Sequence, residues 1–370
     1  MPAPTLELLT RYRRDLHRIP ELDFDLPQTL AYVRGVMEGL PAFELFSPCR
    51  STLCAWLDRG TEHATAFRTD MDALPVIEAT ERDFASTHQG CMHACGHDGH
   101  MAMVLGLAGW LQDHADELPR SVLLVFQPAE ETTGGAHDVC ESGVFVRYGV
   151  DRIFGFHLWP SLPEGALSSR PGPLLAASNE TYVTFRGRAS HIGRYQEGAD
   201  AMEAAAHFLI DVYGLMADQP PEERSLMRFG LMRAGRVINQ VADLAQVNGS
   251  LRTYSVAARD RLQREIHQLA ERDAAAQGCT AEVEYSYGFP PVSNDVALYA
   301  LAASVLPELT ELEEPLMISE DFAWYQQYLP GVFLLLGTGT PAPLHSDHFD
   351  FDEKVLLKGV DVYERLAMLA

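Results

Sequence analysis

The chain has 370 residues, 47% of them hydrophobic, which is enough for two domains that each bury a full core. Its 52 acidic side chains against 28 basic ones give a formal net charge of −24, and this disfavours the basic surface that nucleic acid or an anionic membrane requires. No apolar run approaches the roughly 20 residues of a membrane-spanning helix, so we expect neither nucleic acid nor membrane among its partners.

Two helices and a strand are predicted near the start of the chain. Apolar residues recur at helical spacing over 5–18, and a proline favours a second helix over 27–38. The apolar run 64–67 predicts a short strand that leads to Asp70 and Asp72. Carboxylates two residues apart point to one side of an extended chain, and α/β sheets form sites at such strand ends, although an ordinary polar turn explains the pair equally well.

The stretch 92–100 reads Met-His-Ala-Cys-Gly-His-Asp-Gly-His and combines a thiol, three imidazoles and a carboxylate with two glycines. Cys, His and Asp are good transition-metal ligands, and glycine lets neighbouring side chains turn toward one point. Half of a metal site, a cysteine nucleophile flanked by histidines, and a buried cysteine with surface histidines all remain open here. Residues 101–111 predict a buried helix, so we place the stretch in the loop that leads into it.

A second group of acidic residues follows the next predicted strand. The β-branched apolar run 121–126 is typical of a central strand, and it leads to Glu130 and Glu131. Two adjacent glutamates at the end of a buried strand are costly unless they are paired or bind metal. One of them can bind a metal while its neighbour faces a water molecule. A charged loop is the alternative.

Two further predicted strands lead to histidines. The strand 152–156 is followed by His157, and the buried strand 332–337 is followed by His345. A lone histidine in such a place is more often structural. Four strand ends with ligand-type side chains, however, favour one convergent site at the carboxyl edge of a sheet.

The middle of the chain has a pattern of its own, β-α-β-β-α-β, which is typical of a ferredoxin-like domain. The predicted elements are strands at 181–186, 226–232, 244–254 and 281–287, and helices at 199–217 and 256–277. We therefore predict an inserted domain at 178–290 within a larger α/β domain that is formed by 1–177 and 291–370.

The cysteines indicate the compartment. There are six, few for this length and widely spread, which suits a reducing compartment better than a disulfide framework. The spacing of Cys91 and Cys95 is not that of the usual zinc-knuckle pair. Residues 1–10 show no charged start followed by an apolar stretch, so we expect no secretory signal and a cytoplasmic location.

Seven motifs span nearly the whole chain: Arg-Arg-Asp-Leu-His-Arg-Ile-Pro-Glu-Leu (13–22), Arg-Thr-Asp-Met-Asp-Ala-Leu-Pro (68–75), the stretch 92–100, Gln-Pro-Ala-Glu-Glu (127–131), the strand end at His157, Ser-Glu-Asp-Phe (319–322) and Leu-His-Ser (344–346). With these motifs the sequence resembles the aminoacylase/carboxypeptidase family of binuclear metallohydrolases. It is most similar to the amidohydrolase branch, which includes hippurate hydrolases, auxin-conjugate hydrolases and N-acetyl-diaminopimelate deacetylases.

The resemblance implies an α/β fold, with a phosphorylase/hydrolase-like mixed-sheet catalytic domain and an inserted ferredoxin-like α+β domain. It implies two divalent metal ions, zinc or manganese by preference, with cobalt or nickel also compatible. The implied ligands are Cys95, His97, Glu131, His157 and His345. Glu130 is the implied general base and Asp70 the supporting catalytic carboxylate.

For the inserted domain, the resemblance implies a lid that also forms a homodimer. Three of its residues match expected substrate contacts: His191, Asn239 and Arg252. Arg252 would bind the carboxylate of the substrate, for which a guanidinium group is well suited. Each also has an ordinary explanation, since Asn239 can cap a turn and Arg252 can pair with surface acids.

The implied activity is hydrolysis of the amide bond of N-acyl amino acids, a small-molecule substrate class. The runs 84–90, 134–135 and 141–145 look most like N-acetyl-diaminopimelate deacetylases, so the preferred reaction is N-acetyl-L,L-diaminopimelate to diaminopimelate and acetate, a step of lysine biosynthesis. A broad aminoacylase, a hippurate-type or N-acetyl-cysteine-type amidohydrolase and a metallopeptidase of the family are alternatives. A non-catalytic binding protein would have lost a ligand or the base, and a Cys–His hydrolase would work without metal.

Overall fold

A computed structural model describes residues 4–132, 134–221 and 223–370. Residues 1–3, which belong to the segment 1–10 in which we expect no secretory signal, lie outside the described residues. The α-helices are α1 (Leu6–His17), α2 (Pro27–Met37), α3 (His97–Asp113), α4 (Gly135–Glu141), α5 (Val144–Arg147), α6 (Ala201–Ala217), α7 (Val256–Ala276), α8 (Val296–Val305) and α9 (Lys354–Ala367). The strands are β1 (Glu44–Phe46), β2 (Leu53–Leu57), β3 (Ala64–Asp70), β4 (Ser121–Gln127), β5 (Val150–Trp159), β6 (Leu167–Ser169), β7 (Gly172–Leu175), β8 (Ala177–Arg186), β9 (Leu226–Ala234), β10 (Leu244–Thr253), β11 (Thr280–Tyr285), β12 (Val292–Asn294), β13 (Thr310–Glu311) and β14 (Gly331–Gly337).

The chain divides into two units. The first comprises residues up to 174, 293–314 and 321–370, and the second comprises 175–292 and 315–320. The proposed inserted domain, 178–290, lies within the second unit. The short segment 315–320 carries no sequence signal that assigns it there.

An eight-stranded mixed sheet forms the centre of the first unit, in the order β1-β2-β4-β3-β5-β14-β6-β13. Its four middle strands, β4, β3, β5 and β14, are parallel to one another, whereas β2 and β6 pair antiparallel with β4 and β14. Strands β3, β4 and β14 are buried along their whole length. Continuous apolar runs suit strands that are covered on both faces. Because parallel strands end at the same edge, the residues that follow these four strands meet at one side of the sheet.

Helix α3 starts earlier than the sequence predicted. The prediction covered 101–111, whereas the helix begins at His97, so His97 and His100 lie in its first turn and not in a loop. Gly96 precedes the helix with φ +86°, a conformation that favours glycine, and a Cβ atom on Gly99 would lie 2.7 Å from Leu158 Cδ1. Both glycines are thus needed for backbone conformation and close packing, and their presence made a helical turn look like a loop.

The second unit contains the predicted β-α-β-β-α-β order. Strands β8, β9, β10 and β11 form an antiparallel sheet in the order β11-β8-β10-β9, and α6 and α7 pack on it around a separate apolar core. This is the ferredoxin-like arrangement, so the predicted α/β fold class with an inserted α+β domain is confirmed. Among the described residues, no helix has the length and apolarity that crossing a membrane would require.

Candidate metal centre

Three buried side chains from two segments form the first part of the site. Cys95 precedes α3, His97 is its first residue, and His157 lies near the end of β5. Their ligand atoms all lie within 4.8 Å of one another, and Cys95 Sγ is 3.3 Å from His157 Nε2. The predicted strand stopped before His157, but β5 continues through it to Trp159, so the strand itself fixes the direction of the imidazole.

Two further groups share members with the first. Cys95, Glu131 and His345 have ligand atoms within 4.8 Å of one another, as do His97, Glu130 and Glu131. His345 Nε2 lies 3.5 Å from Glu131 Oε1, and His97 Nε2 lies 3.9 Å from the same oxygen. Because the groups overlap, the five predicted ligands and the predicted base come together in one region of the first unit.

The hydrogen bonds of two histidines leave their Nε2 atoms available. His97 Nδ1 lies 2.8 Å from the carbonyl oxygen of Asp72, and His157 Nδ1 lies 2.7 Å from that of Leu158. A carbonyl oxygen can only accept, so each Nδ1 carries the proton and donates it. The lone pair of each neutral ring is then on Nε2, which is the usual arrangement of a metal-binding histidine.

The site contains polar atoms that the protein does not satisfy. Among the described residues, His97 Nε2 and Glu131 Oε1 are buried and have no hydrogen-bond partner. Buried polar atoms are normally paired, because an unpaired one keeps the full cost of its desolvation. A set of one thiol, three imidazoles and a carboxylate matches the ligands that borderline-soft divalent ions prefer. The residues therefore fit a metal centre.

Burial shapes the acid–base properties of the site. It lowers the pKa of His157 to about 3 and also lowers that of His97. It raises the pKa of the Cys95 thiol well above its ordinary range, and the charges of Glu131 and Glu130 add to this effect. A thiol that resists ionisation beside a weakly basic imidazole is a poor nucleophile, so these environments disfavour the Cys–His alternative.

Asp72 was not among the predicted site residues, yet it supports the site directly. Its Oδ1 accepts the backbone amide of Glu130 at 2.9 Å, and its Oδ2 accepts that of Glu131 at 3.0 Å. Its own carbonyl oxygen holds His97. The spacing of Asp70 and Asp72 at the end of β3 is the signal in the sequence for both residues, whereas the resemblance assigns a role to Asp70 alone.

The predicted supporting carboxylate, Asp70, lies behind the ligands. Asp70 is fully buried and accepts a hydrogen bond of 2.6 Å from Nη1 of Arg68. Its carboxylate lies 2.7 Å from Nδ1 of His100 and 3.8 Å from Nδ1 of His97. His100 Nε2 accepts the backbone amide of Leu158 at 2.9 Å, so His100 donates from Nδ1 to Asp70. Burial opposes ionisation of Asp70, but His97, His100 and Arg68 outweigh it and hold the pKa well below its usual range.

Arg68 also joins a second buried acid to the network. Its Nη2 lies 2.6 Å from Asp321 Oδ1, and Gln127 donates at 2.7 Å to the other oxygen of the same carboxylate. The backbone amide of Asp321 lies 3.4 Å from Glu130 Oε1. The motif around Asp321 thus reaches the predicted base through its backbone.

Two non-glycine residues of the site have a left-handed backbone. Ala129, which precedes Glu130, has φ +54°, and His345 has φ +66°. Such conformations cost of order 1–3 kcal/mol and cluster at functional sites. The amide of His345 donates at 2.8 Å to the carbonyl oxygen of Ala94, which ties this strained residue to the segment that carries Cys95.

The three predicted substrate contacts lie in the second unit. His191 and Asn239 are exposed, and the amide of Ile192 donates at 3.0 Å to the carbonyl oxygen of Asn239, so their two segments are neighbours. Arg252 is half-buried on β10, and its Nη1 donates at 3.0 Å to Ser319 Oγ. Within the described part of the chain, Arg252 forms no ion pair, although the Glu180 carboxylate acts on it electrostatically.

Comparisons with known proteins agree with this description. The model of peptidase family M20/M25/M40 matches residues 66–369. An uncharacterized hydrolase of Staphylococcus epidermidis is 32% identical over 374 residues, which covers 98% of this chain and 97% of the relative.

Two solved structures share the fold. The YXEP protein of Bacillus subtilis, described as a dinuclear metal binding peptidase from the M20 family, superposes with a TM-score of 0.87 at 31% identity and covers 98% of this chain and 97% of its own. The aminobenzoyl-glutamate utilization protein of Klebsiella pneumoniae superposes with a TM-score of 0.69 at 23% identity over 97% and 95% of the two chains. At that identity the second likeness concerns the fold alone.

Proposed function

The chain belongs to peptidase family M20/M25/M40 and is a metal-dependent hydrolase of that family, and we propose that it cleaves the amide bond of N-acyl amino acids with two divalent ions. The observation that carries the proposal is the convergence of Cys95, Glu131 and His345 from distant parts of the sequence, with Glu130 beside them. The dinuclear metal binding described for the Bacillus subtilis relative supports the number of ions.

The residues that would hold the ions are Cys95, His97, Glu131, His157 and His345. A thiolate favours zinc, whereas the imidazole and carboxylate ligands also suit manganese, cobalt or nickel. When bound, the ions would lower the pKa of a water molecule and polarise the carbonyl group of the substrate.

Glu130 is the proposed general base. It would take the proton of the attacking water and then donate it to the nitrogen of the leaving amine. Its carboxylate is buried near the amide of Asp321, and its own amide is held by Asp72. These contacts hold Glu130 in place although it is not one of the proposed ligands. Asp70 would orient His97 and His100.

The second unit is the proposed lid. Arg252 would bind the α-carboxylate of the substrate, because its half-buried guanidinium forms no ion pair with the described residues and keeps donors available. His191 would stabilise the oxyanion that forms at the scissile carbonyl, and Asn239, beside it, would contact the substrate. We propose N-acetyl-L,L-diaminopimelate as the preferred substrate, which rests only on the short sequence runs that resemble those deacetylases.

A homodimer formed through this unit is part of the proposal. Strand β9 is an edge of its sheet, since β10 is its single partner strand among the residues that the structure describes. Leu231 and Met232 on β9 are 39% and 42% exposed. An exposed apolar edge strand is a template for pairing, and a second copy of the same edge would cover it.

A cytoplasmic location completes the proposal. All six cysteines are free thiols, which supports a reducing compartment.

The test is a substrate panel. Purified protein is stripped with a chelator, supplied in turn with Zn²⁺, Mn²⁺, Co²⁺ or Ni²⁺, and assayed for amine release from N-acetyl and N-benzoyl amino acids and N-acetyl-L,L-diaminopimelate. We expect metal-dependent cleavage of at least one class. Absence of cleavage with every ion would refute the proposal, and preference for benzoyl substrates would refute the diaminopimelate assignment alone.

A further inference from the structure

Arg13 connects α1 to two distant parts of the first unit. It is 1% exposed, and its guanidinium reaches three carboxylates. Nε lies 2.9 Å from Asp98 Oδ2, Nη2 lies 2.7 Å from Asp350 Oδ1, and Nη1 lies 3.5 Å from Glu353 Oε1. A charge so deeply buried is tolerated only when it is paired and hydrogen-bonded in this way.

The partners of Arg13 flank two proposed metal ligands. Asp98 directly follows His97, and Asp350 lies shortly after His345 in the chain. One guanidinium therefore bridges the segment that carries His97 and the segment that carries His345. Most of the sequence separates these two segments along the chain, and the hydrogen bond from the amide of His345 to the carbonyl oxygen of Ala94 is a second direct link between them.

Asp98 is held from several directions. Its Oδ2, which binds Arg13, is also 2.7 Å from Nδ1 of His17, and its Oδ1 accepts the amide of Gly99 at 2.9 Å. The other ring nitrogen of His17 lies 3.2 Å from Glu78 Oε1. These contacts connect the start of α3, which carries His97, to α1.

Aromatic rings fix the guanidinium itself. Its central carbon lies 4.7 Å from the ring centre of Phe84 and 4.6 Å from that of Phe351. Between two rings, only the planar fork of arginine can hold three carboxylates at once, whereas a lysine would present a single point charge.

We propose that Arg13, assisted by His17, is a positioning residue that sets the separation of His97 and His345 and thereby the affinity of the centre for its ions. The proposal rests on the metal centre of the proposed function. It assigns a role to the motif 13–22, which the proposed function does not otherwise use. Groups that bond directly to metal ligands change metal affinity by about 10–100-fold when they are removed. Arg13 acts one contact further out, through Asp98 and Asp350, so we expect an effect at the lower end of that range.

The experiment measures Co²⁺ affinity by competition with a chelator, together with the visible spectrum of the cobalt protein and circular dichroism of the metal-free protein. The variants are Arg13→Lys, Arg13→Met and Asp350→Asn. Arg14→Met is the matched control, because Arg14 is the next residue of α1, lies 2.7 Å from Glu353 and packs on Phe84 but does not contact Asp98.

We expect each Arg13 variant to bind Co²⁺ about 10-fold more weakly with an altered spectrum. Asp350→Asn should weaken binding in the same direction, and Arg14→Met should match the wild type. A folded Arg13→Lys protein with wild-type affinity and spectrum would overturn the proposal. If the Arg13 variants do not fold, Asp350→Asn decides in the same way. A wild type that binds no Co²⁺ would overturn the proposed metal centre and this proposal with it, whereas normal binding in all variants would overturn this proposal alone.

Discussion

Cys95 Sγ lies 3.3 Å from His157 Nε2, although 62 residues separate the two in the sequence. If both residues are metal ligands, hydrolysis requires the ion. Burial raises the pKa of the Cys95 thiol, so without a metal this thiol does not ionise readily and is a poor nucleophile. We therefore expect chelation to abolish hydrolysis, readdition of metal to restore it, and iodoacetamide to leave the loaded enzyme active. Amine release measures all three. Activity that survives chelation but is lost on alkylation would instead identify a cysteine nucleophile.

The adjacent glutamates are expected to separate chemistry from metal binding. Glu130→Gln removes the proposed base, so kcat should fall about 10²–10⁴-fold while metal content stays near that of the wild type. Glu131→Gln is the matched control, because it makes the same isosteric change one residue away and should lower metal affinity first. Rates and bound metal are measured on the same preparations. Near-normal turnover by Glu130→Gln would remove this residue as the base.

Arg252→Met is expected to weaken substrate binding. Loss of a charge-assisted contact of about 1.5–3 kcal/mol corresponds to a KM roughly 10- to 100-fold higher, with kcat little changed. The increase in KM should disappear for substrates in which an amide replaces the α-carboxylate. Arg236→Met serves as the control, since Arg236 is exposed and paired with Asp243. An equal loss on acid and amide substrates would contradict the assigned role.

A surface ion-pair network gives an expectation for pH. Hydrogen bonds from Arg365 and Lys358 lower the pKa of Glu308 from its ordinary 4.5 to about 2. A carboxylate with a depressed folded-state pKa stabilises the fold above about pH 4.5, and this contribution is lost as the pH falls toward 2. The network is partly exposed, so we expect less than ~1 kcal/mol at pH 7.

The urea midpoints of the wild type and of Glu308→Gln measure that contribution. Their difference should be present at pH 7 and shrink between pH 4.5 and pH 3. Glu62→Gln, at an exposed carboxylate without an ion pair to the described residues, should show no such trend. A Glu308→Gln difference that does not change with pH would contradict the assignment.

The edge strand β9 is expected to carry the dimer contact. Leu231→Lys places a charge on that edge, and like charges from two copies would then face each other, so the variant should be monomeric. Light scattering during gel filtration at several concentrations gives the mass. Ile77→Lys, at a side chain of the first unit that is 74% exposed, is the control and should keep the wild-type mass. A wild type that is monomeric at every concentration would refute the dimer.

The ferredoxin-like insertion could be predicted from sequence because its elements are amphipathic and follow one another in a known order. The buried strands β3, β4, β5 and β14 could also be predicted, since each contains a short run of mostly apolar residues. The short edge strands β1 and β13 could not, because segments of two or three residues are too short to carry a periodic signal.

Within the site, residue type and strand-end position pointed to the ligand-type side chains, but not to their supports. Asp72 acts through both carboxylate oxygens on backbone amides, and Arg13 acts on carboxylates more than 80 residues away. Neither contact can be predicted from the spacing of residues in the sequence, because each forms only when separate segments come together in the folded chain. The early start of α3 was hidden for a related reason, since Gly99 is explained only by the side chains packed against it.

The two ends of the ferredoxin-like segment are joined to each other. Ser178 and Phe289 exchange two backbone hydrogen bonds, of 3.0 and 2.9 Å, so the segment leaves and re-enters the chain at nearly one point. A folded insertion with adjacent ends adds little loop-closure entropy to the pairing of β5 with β14. Evolution can therefore remodel or exchange that segment while the eight-stranded sheet keeps its register, so the two parts of the chain can diverge at different rates among descendants.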